Sequence, residues 1–521
     1  MTASAPARTI SLNPAGVLSE RWRFPAAVAA VIVLSFTLRI GPTTPDVSWL
    51  IDMCVRILNG ERAYIDVFET TPPVPVLLYM PGAWIERHFS IPAELAVIAY
   101  AYAAYSGVLW LMLRLLPEKL EGLGPARWFV VFPAGLYLFI LTNDTFAQRE
   151  TFSAALMAPM ICALIAWRQT GAWPPLSLRA AAAVLAGLAA AIKPPLFTLP
   201  LLFCGAYLIV TERSLRPIYS SGLIASAFAF AAITAASFAI FPAYFDGVYQ
   251  LMRDVYVPIR HHVVYGVFSD AFLFAAACIL LMRVRPKERR SAGETDRLLL
   301  IVSAGFMAAY FGQAKYFDYH VTPIGLFAFV VAWNSFLLNI LAIGETKASR
   351  SRLWLIGGLL AFISAGLFHS FDDDEPKLHD RSWAEDLENP TAMAISSGYI
   401  TGYPLAREIG ATWVNRIHCQ WAITYPQAMM SRQRVSEEQT ALFKKYQNDE
   451  LDRVAALIPE KKPEIIIQST TATSLWLADK LLERNPALFD DYAVVAEEGV
   501  FRIWRRKISL KENAVLKGAG G

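Results

Sequence analysis

The sequence is poor in cysteine and in charged residues. Its 521 residues include five cysteines, and only 17% are Asp, Glu, Lys or Arg. Three cysteines, Cys162, Cys204 and Cys278, fall in apolar runs where a thiol behaves as a small hydrophobic group, so a disulfide framework is excluded. Cys54 and Cys419 could form one bridge in an oxidising compartment, although we expect two free thiols.

A basic excess and a nucleotide-binding loop are also missing. The 47 Lys and Arg residues against 44 Asp and Glu give a net charge of only +3, which excludes the strongly basic surface of a nucleic-acid-binding protein. No G-x-x-x-x-G-K-[ST] sequence occurs. No internal repeat is present either. Because a strongly basic surface is excluded, we expect no nucleic-acid partner.

Long apolar runs are the main feature of the sequence. Hydrophobic residues make up 55% of the chain, and the mean hydropathy of +0.39 is too high for a soluble protein of this size. A helix needs about 17 to 25 apolar residues to cross a bilayer. We predict a polytopic α-helical membrane protein with about eleven spans, at residues 24–40, 92–116, 127–142, 150–167, 178–192, 195–211, 219–243, 269–283, 297–313, 321–341 and 353–369.

The Lys and Arg residues of the predicted loops indicate an orientation. Even-numbered loops carry 16 of them and the short odd-numbered loops carry five, and positive loops stay in the cytoplasm. We expect a bacterial inner membrane protein whose first span is retained. Its parts are a cytoplasmic N-terminus (1–23), a transmembrane domain (24–370) with an outer loop (41–91), a periplasmic domain (371–507) and a flexible tail (508–521).

The segments predicted to lie outside contain recognisable elements. Residues 46–58 have apolar side chains at helical spacing, which predicts a helix on the membrane surface. Residues 74–84 form a second apolar stretch. The periplasmic domain has an α/β pattern: strands at 392–396 and 463–469, a hairpin over 492–504, and a helix opened by a Ser436/Gln439 capping box.

Four carboxylates occupy the predicted outer boundary of the membrane: Asp46, Glu69, Asp144 and Glu150. Each alone has an ordinary interpretation as a solvated loop acid. As a set at one membrane face, they are candidates for a general base and its supporting groups.

Three cations interrupt apolar sequence at the same boundary: Arg149, Lys193 and Lys315. Lys193 precedes Pro194-Pro195, and a short turn there would hold its ammonium at headgroup depth, where a lipid phosphate would lie. The alternative is simple snorkelling to the lipid headgroups. We treat all three as candidate phosphate-binding residues.

Two further clusters lie in the predicted outer loops. Gln313, Lys315, Tyr319 and His320 combine polar groups with aromatic rings, which suits sugar binding. His261 and His262, with Glu69, are weak candidates for metal ligands, so a divalent ion stays possible. The acidic run at 372–375 contains a D-x-D spacing, but we interpret it as a solvated linker.

The first loop resembles the GT-C superfamily of integral-membrane glycosyltransferases. The matching text is P-D-V-S-W at 45–49 and V-F-E-T-T-P-P at 67–73, and more loosely N-D-T-F-A-Q-R-E at 143–150 and A-I-K-P-P at 191–195. The nearest likenesses are the protein O-mannosyltransferases and the lipid A aminoarabinose and galacturonic acid transferases. The resemblance implies Asp46 as the catalytic carboxylate and Glu69 as a supporting acid or metal ligand.

Two departures from the family pattern concern the donor. Thr70-Thr71 stands where the family has a lysine, and the frequent Asp-Glu pair is reduced to Asp46. Lys193, Arg149 or Lys315 would then replace the missing cation. We expect inverting transfer of a sugar from a polyprenyl-phosphate donor to a hydroxyl of lipid A, another glycolipid or a polysaccharide. An O-antigen ligase or polymerase, a lipid or sugar transporter, and a structural scaffold are the alternatives.

Overall fold

The computed structural model describes residues 14–38, 43–280, 293–341, 378, 380–432 and 435–507. The first three segments are helical, and the remainder forms an α/β domain, here called the C-terminal domain. The helices of the first part are α1 (Pro14–Leu38), α2 (Pro45–Leu58), α3 (Pro73–Phe89), α4 (Ala93–Leu115), α5 (Arg127–Leu141, with π-helical turns), α6 (Arg149–Thr170), α7 (Leu176–Ala191), α8 (Leu199–Glu212), α9 (Leu223–Ile240), α10 (Asp270–Leu280), α11 (Glu294–Gln313) and α12 (Thr322–Leu341).

The helices fall where the apolar runs predict them. Ten of the eleven predicted spans coincide with a helix of the structure. The eleventh, at 353–369, lies outside the described residues. Among the described residues, four helical segments are long and apolar enough to cross a membrane: Ala93–Leu115, Arg149–Thr170, Leu223–Ile240 and Tyr319–Ile340. The chain is thus a helical membrane protein, while the number eleven stays a prediction.

The loops predicted to be cytoplasmic meet at one end of the helical bundle. Arg168 at the end of α6 pairs with Glu294 of α11 at 2.8 Å and with Glu212 of α8. The side chain of Gln169 accepts a hydrogen bond from the Glu121 amide. This grouping of alternate loops is what the charge pattern predicts. Which end faces the cytoplasm stays a prediction.

Helix α2 is a buried layer rather than an exposed surface helix. Its apolar side chains, from Val47 to Met53, are buried, and so are Asp52 and Arg56 on its other side. The C-terminal domain covers that side, because the hydroxyl of Tyr403 donates to Asp52 at 2.9 Å. The helix is therefore covered by protein on that side, and its position at the membrane surface stays a prediction. The apolar pattern identified the helix but gave no sign of the domain above it.

The C-terminal domain is a five-stranded mixed sheet with helices. Its strands are β1 (Thr391–Ile395), β2 (Thr412–Trp413), β3 (Ile465–Ser469), β4 (Tyr492–Glu498) and β5 (Phe501–Arg506), in the order β2-β1-β3-β5-β4. Strands β1 and β3 are parallel, and β5 is antiparallel to both β3 and β4. The predicted strands and hairpin are confirmed. The longer helices are α13 (Trp421–Arg432), α14 (Glu437–Lys461) and α15 (Ala472–Arg484).

The sheet separates two hydrophobic cores. Side chains alternate along a strand, so Met393 and Ile466 face a core formed with α14 and α15. Ala394 and Ile467 face the opposite way and belong to the same core as the helical bundle. Helix α14 begins at the capping box that the sequence predicts, with Ser436 accepting from the Gln439 amide. The domain is therefore packed on the bundle through its sheet.

Polar contacts also fix the C-terminal domain to α2, α3 and α4. Arg407 bridges Glu86 of α3 and Glu94 of α4. The guanidinium of Arg56 donates to the carbonyl of Asn415 at 2.8 Å. Cys54 and Cys419 lie buried and unbonded to each other, as do the other three cysteines. The expected free thiols are confirmed, and the domain is held without a disulfide.

Replacing Arg407 with alanine is expected to loosen the C-terminal domain. The change removes two partly buried ion pairs and leaves two carboxylates without their shared cation, at a cost of about 1.5–3 kcal/mol. We expect a lower apparent Tm in detergent and faster proteolytic cleavage between the bundle and the domain. Arg484→Ala is the control, because its partner Asp452 is 68% exposed. Equal effects of the two substitutions would contradict the interface.

Candidate active site

Glu69 stabilises the turn that joins α2 to α3. One carboxylate oxygen accepts from the indole of Trp49 at 2.5 Å, and the other accepts from the amide of Thr71 at 2.8 Å and the hydroxyl of Thr70 at 3.1 Å. Burial opposes ionisation, but His418, Arg149 and the Thr71 bond hold the pKa of Glu69 below its usual range. Because both oxygens accept hydrogen bonds from the chain, Glu69 positions its neighbours.

Asp46 lies in the first turn of α2, which Pro45 begins. Its Oδ2 is 3.0 Å from the guanidinium of Arg149, and its side chain is 21% exposed. This oxygen is buried and forms no aligned hydrogen bond within the described residues. Burial raises the pKa of Asp46 to about 6, although Arg149 opposes the shift. At neutral pH the carboxylate is ionised and basic enough to take a proton.

Glu150 lies at the centre of a charged cluster, here called the cluster, that is formed by Asp46, Glu69, Arg149, Glu150, Lys193 and His320. It is completely buried, one residue into α6. Its Oε1 lies 3.0 Å from the ammonium of Lys193 and 3.4 Å from Nε of Arg149. Arg149 also donates to the hydroxyl of Thr71 at 3.1 Å. One carboxylate thus fixes two cations, from α6 and from the turn between α7 and α8.

Lys193 also fixes the protonation of His320. The ammonium lies 3.0 Å from Nε2 of the imidazole. A lysine ammonium only donates hydrogen bonds, so Nε2 must accept and the ring hydrogen must be on Nδ1. That Nδ1 is buried and has no partner in the described part of the chain. Burial lowers the pKa of Lys193, with Glu150 opposing.

Lys315 lies outside this cluster. Its ammonium donates to the carbonyls of Tyr256, at 2.6 Å, and of Ile259, and it lies 4.2 Å from the Tyr256 ring centre. Burial lowers the pKa of Lys315 to about 7, with a contribution from Arg260. The structure gives this lysine a role in fixing the 244–268 loop, and its part in phosphate binding stays a prediction.

The other candidates divide between the cluster and its surroundings. Tyr319 packs edge-on against His320, with 4.6 Å between ring centres, and stacks on Phe317. Gln313 ends α11 and its amide donates to the carbonyl of Ala309. Asp144 belongs to a turn before α6, and its side chain lies outside the described residues. Tyr319 therefore borders the cluster, whereas Gln313 is satisfied within its own helix.

The metal candidates have other hydrogen-bond partners in the structure. His262 caps a short helix by accepting from the Val264 amide, and the amide of His261 donates to Ala314. Glu69 is engaged by Trp49 and by the threonines. Within the described ranges, no three His, Cys, Asp or Glu side chains come together around one point. The acids of the cluster face protein cations instead, so we assign no step to a metal.

Sequence reasoning missed the side chains that connect the candidates. Trp49 and Thr71 link Glu69 to the rest of the cluster, although both stand inside the sequence stretches that resemble the GT-C superfamily. His418 of the C-terminal domain lies 5.2 Å from the Trp49 ring. No pattern in the sequence associates residue 418 with residue 49, because only the tertiary fold brings them together.

Comparison with known proteins bears on the family and the fold of the chain. The model of glycosyltransferase family 87 matches residues 70–311. ArnT from Cupriavidus metallidurans in the apo state shares the fold, with a TM-score of 0.51 and 14% identity over 94% of this chain and 98% of that chain. No curated protein sequence matches.

Two other solved structures give lower scores. ArnT from the same organism bound to undecaprenyl phosphate has a TM-score of 0.49 at 12% identity, covering 94% of this chain and 98% of that one. Archaeal oligosaccharyltransferase AglB from Archaeoglobus fulgidus, in complex with an inhibitory peptide and a dolichol-phosphate, has a TM-score of 0.43 at 12% identity. It covers 92% of this chain and 74% of that one.

Replacing Glu150 with glutamine is expected to destabilise the cluster. The change leaves the buried Arg149 and the partly buried Lys193 without their shared carboxylate, and breaking a buried ion pair costs about 3–5 kcal/mol. We expect a marked fall in apparent Tm. Glu61→Gln is the control, because Glu61 pairs with Arg56 but is 38% exposed. A Glu150→Gln protein as stable as the control would show that the pairing is not needed for folding.

Proposed function

Because the chain is an integral-membrane glycosyltransferase of the GT-C superfamily, we propose that it transfers a sugar from a polyprenyl-phosphate donor to a hydroxyl of a cell-envelope glycolipid or polysaccharide. The single observation that carries this proposal is the cluster around Arg149. There the carboxylate of Asp46, the buried cation of Arg149 and the partly buried cation of Lys193 converge at one end of the helical bundle. We place this end at the periplasmic face of a bacterial inner membrane, as the loop charges predict.

Asp46 acts as the general base in this mechanism. The acceptor hydroxyl gives its proton to Asp46 while its oxygen attacks the anomeric carbon of the sugar. The bond from that carbon to the phosphate oxygen breaks, and the polyprenyl phosphate leaves with the electron pair. Attack opposite the leaving group inverts the anomeric configuration. A pKa of about 6 suits this role, since the carboxylate is ionised at pH 7 yet remains a usable base.

Arg149 and Lys193 would stabilise the negative charge that develops on the leaving phosphate. Both cations are already oriented by Glu150, so little reorganisation is needed when the charge appears. The Nδ1–H group of His320 supplies a further donor without a charge. Arg149 also touches Asp46, which connects the base to the phosphate side. Arg149 and Lys193 would thereby replace the lysine that the family has at the position of Thr70-Thr71.

The mechanism uses protein cations where other transferases use a divalent metal. Charge stabilisation of a phosphate can come from Arg, Lys or a metal ion. Here the carboxylates that could ligate a metal face Arg149, Lys193, Trp49 and Thr71. The arrangement therefore supports direct binding of the phosphate by side chains.

Asp46→Asn is expected to reduce transfer of labelled sugar to membrane lipids by about 10²- to 10⁴-fold, the usual contribution of a general base. The assay uses polyprenyl-phosphate sugars extracted from membranes as donors and endogenous lipids as acceptors. Asp52→Asn is the matched control, since Asp52 lies on the same helix and faces Tyr403 instead of the cluster.

The two variants separate the possible results. Loss in Asp46→Asn with retention in Asp52→Asn supports the proposed base. Full activity of Asp46→Asn would refute that assignment, and an inactive wild-type protein would refute the donor class.

The pH dependence of transfer is expected to follow Asp46. Since the base must be deprotonated and its pKa is raised to about 6, kcat/KM should be flat above pH 7. It should fall about tenfold per pH unit once the pH is well below 6. Initial rates at subsaturating donor between pH 4.5 and 8 measure this profile. A profile without a break near pH 6, in a protein shown to stay folded, would contradict the role of Asp46.

A further inference from the structure

The C-terminal domain contributes a side chain to the cluster, and nothing in the proposed mechanism uses it. Residues 414–420 follow the short strand β2 and run back toward the helical bundle. His418, in the middle of this segment, places its imidazole 5.2 Å from the ring of Trp49 and 6.2 Å from the ring of Tyr399. Trp49 is the donor to Glu69. The imidazole therefore lies at the Glu69 end of the cluster.

The segment that carries His418 is held from both sides. Within the domain, the indole of Trp413 donates to the carbonyl of Ile417 at 3.0 Å. From the bundle, Arg56 donates to the carbonyl of Asn415 at 2.8 Å, and the amide of Phe68 donates to the carbonyl of Arg416 at 2.7 Å. Such contacts remove the freedom of a surface loop. The imidazole is thus positioned by the fold as firmly as the residues of the bundle.

The imidazole retains hydrogen-bonding capacity. Its Nδ1 atom is buried and has no partner among the residues that the structure describes. Glu69 is close, but its oxygens already accept from Trp49, Thr70 and Thr71. Buried polar atoms of proteins are nearly always paired, so an unpaired one in a site needs an explanation. A bound substrate hydroxyl would supply the missing partner.

The order of contacts along the cluster indicates which substrate. His320 and Lys193 form one end, next to Glu150. Arg149 is central, in contact with Glu150, with Asp46 and with Thr71. Thr71 leads to Glu69, Trp49 and finally His418. Arg149, which also contacts the proposed base Asp46, therefore connects the cationic end to the His418 end.

We infer that His418 binds the acceptor, through a hydrogen bond from a hydroxyl of its sugar to the imidazole and through packing of that sugar against the half-buried Tyr399. The inference rests on the proposed function. In an inverting transfer, the attacking hydroxyl and the leaving phosphate lie on opposite sides of the anomeric carbon. With the phosphate at Lys193, the His418 end of the cluster is left for the acceptor. An aromatic ring beside a polar nitrogen suits a sugar ring.

The test separates acceptor binding from donor binding in the full-length protein. The rate of transfer is measured while the glycolipid fraction of a membrane extract is titrated at saturating donor. Binding of undecaprenyl phosphate is measured separately by tryptophan fluorescence. For His418→Ala we expect the half-saturating acceptor concentration to rise about 3- to 10-fold, as for loss of one hydrogen bond, with unchanged affinity for undecaprenyl phosphate.

The control is His88→Ala, because His88 also stacks on a tryptophan, Trp84, at 4.5 Å, but is exposed on α3. If His418→Ala lowers the apparent Tm, the test uses His418→Asn and His418→Gln instead. The side-chain amide of Asn lies near the position of Nδ1, and the side-chain amide of Gln lies near the position of Nε2. Asn is then expected to keep acceptor affinity and Gln to lose it.

The outcomes distinguish the inference from the function on which it rests. An unchanged acceptor titration, or an equal loss of undecaprenyl phosphate binding, overturns the role of His418 while transfer itself stands. A wild-type protein that transfers nothing to any fraction of the extract overturns the proposed function and this inference with it.

Discussion

The rest of the site depends on the cost of burying charge. Glu150 is fully enclosed in protein, and an isolated carboxylate there would be prohibitively unfavourable. Arg149 and Lys193 must therefore come to it, which fixes the start of α6 against the turn between α7 and α8. Once Arg149 is fixed, its guanidinium positions Asp46 and Thr71. The orientation of the first loop follows from a charge that stands 104 residues after Asp46 and 79 residues after Thr71.

Hydrophobic patterning was enough to predict most of the fold. Span length, the continuous apolar run at the start of Ile465–Ser469 and the Ser436/Gln439 cap are local signals, and local signals survive in a sequence. The docking of the C-terminal domain on α2 was not predictable, because Asp52 and Arg56 resemble ordinary polar residues of an amphipathic helix. Their partners Tyr403 and Asn415 stand about 350 residues away.

The site was predicted as a set of residues but not as a geometry. Asp46, Arg149, Glu150, Lys193 and His320 were identified because ionisable groups at a membrane boundary are conspicuous, and the structure brings these five together. Lys315 satisfied the same criterion and yet binds carbonyls of another loop. Position at a boundary cannot show which side a lysine faces. Likewise, His418 lies in a polar domain, where a histidine is an ordinary residue and does not indicate a functional site.

The hydrogen bonds from the first loop to residues 415 and 416 have a consequence for biosynthesis. The atoms joined by the Arg56–Asn415 bond are separated by 359 positions in the chain, so the first loop leaves the ribosome long before its partner exists. The cover over Trp49 and Glu69 can form only after nearly the whole polypeptide has been made. A nascent or truncated chain would hold the acidic and basic residues of the bundle but an uncovered Trp49 and Glu69. Closure of this end of the cluster is thereby coupled to completion of synthesis.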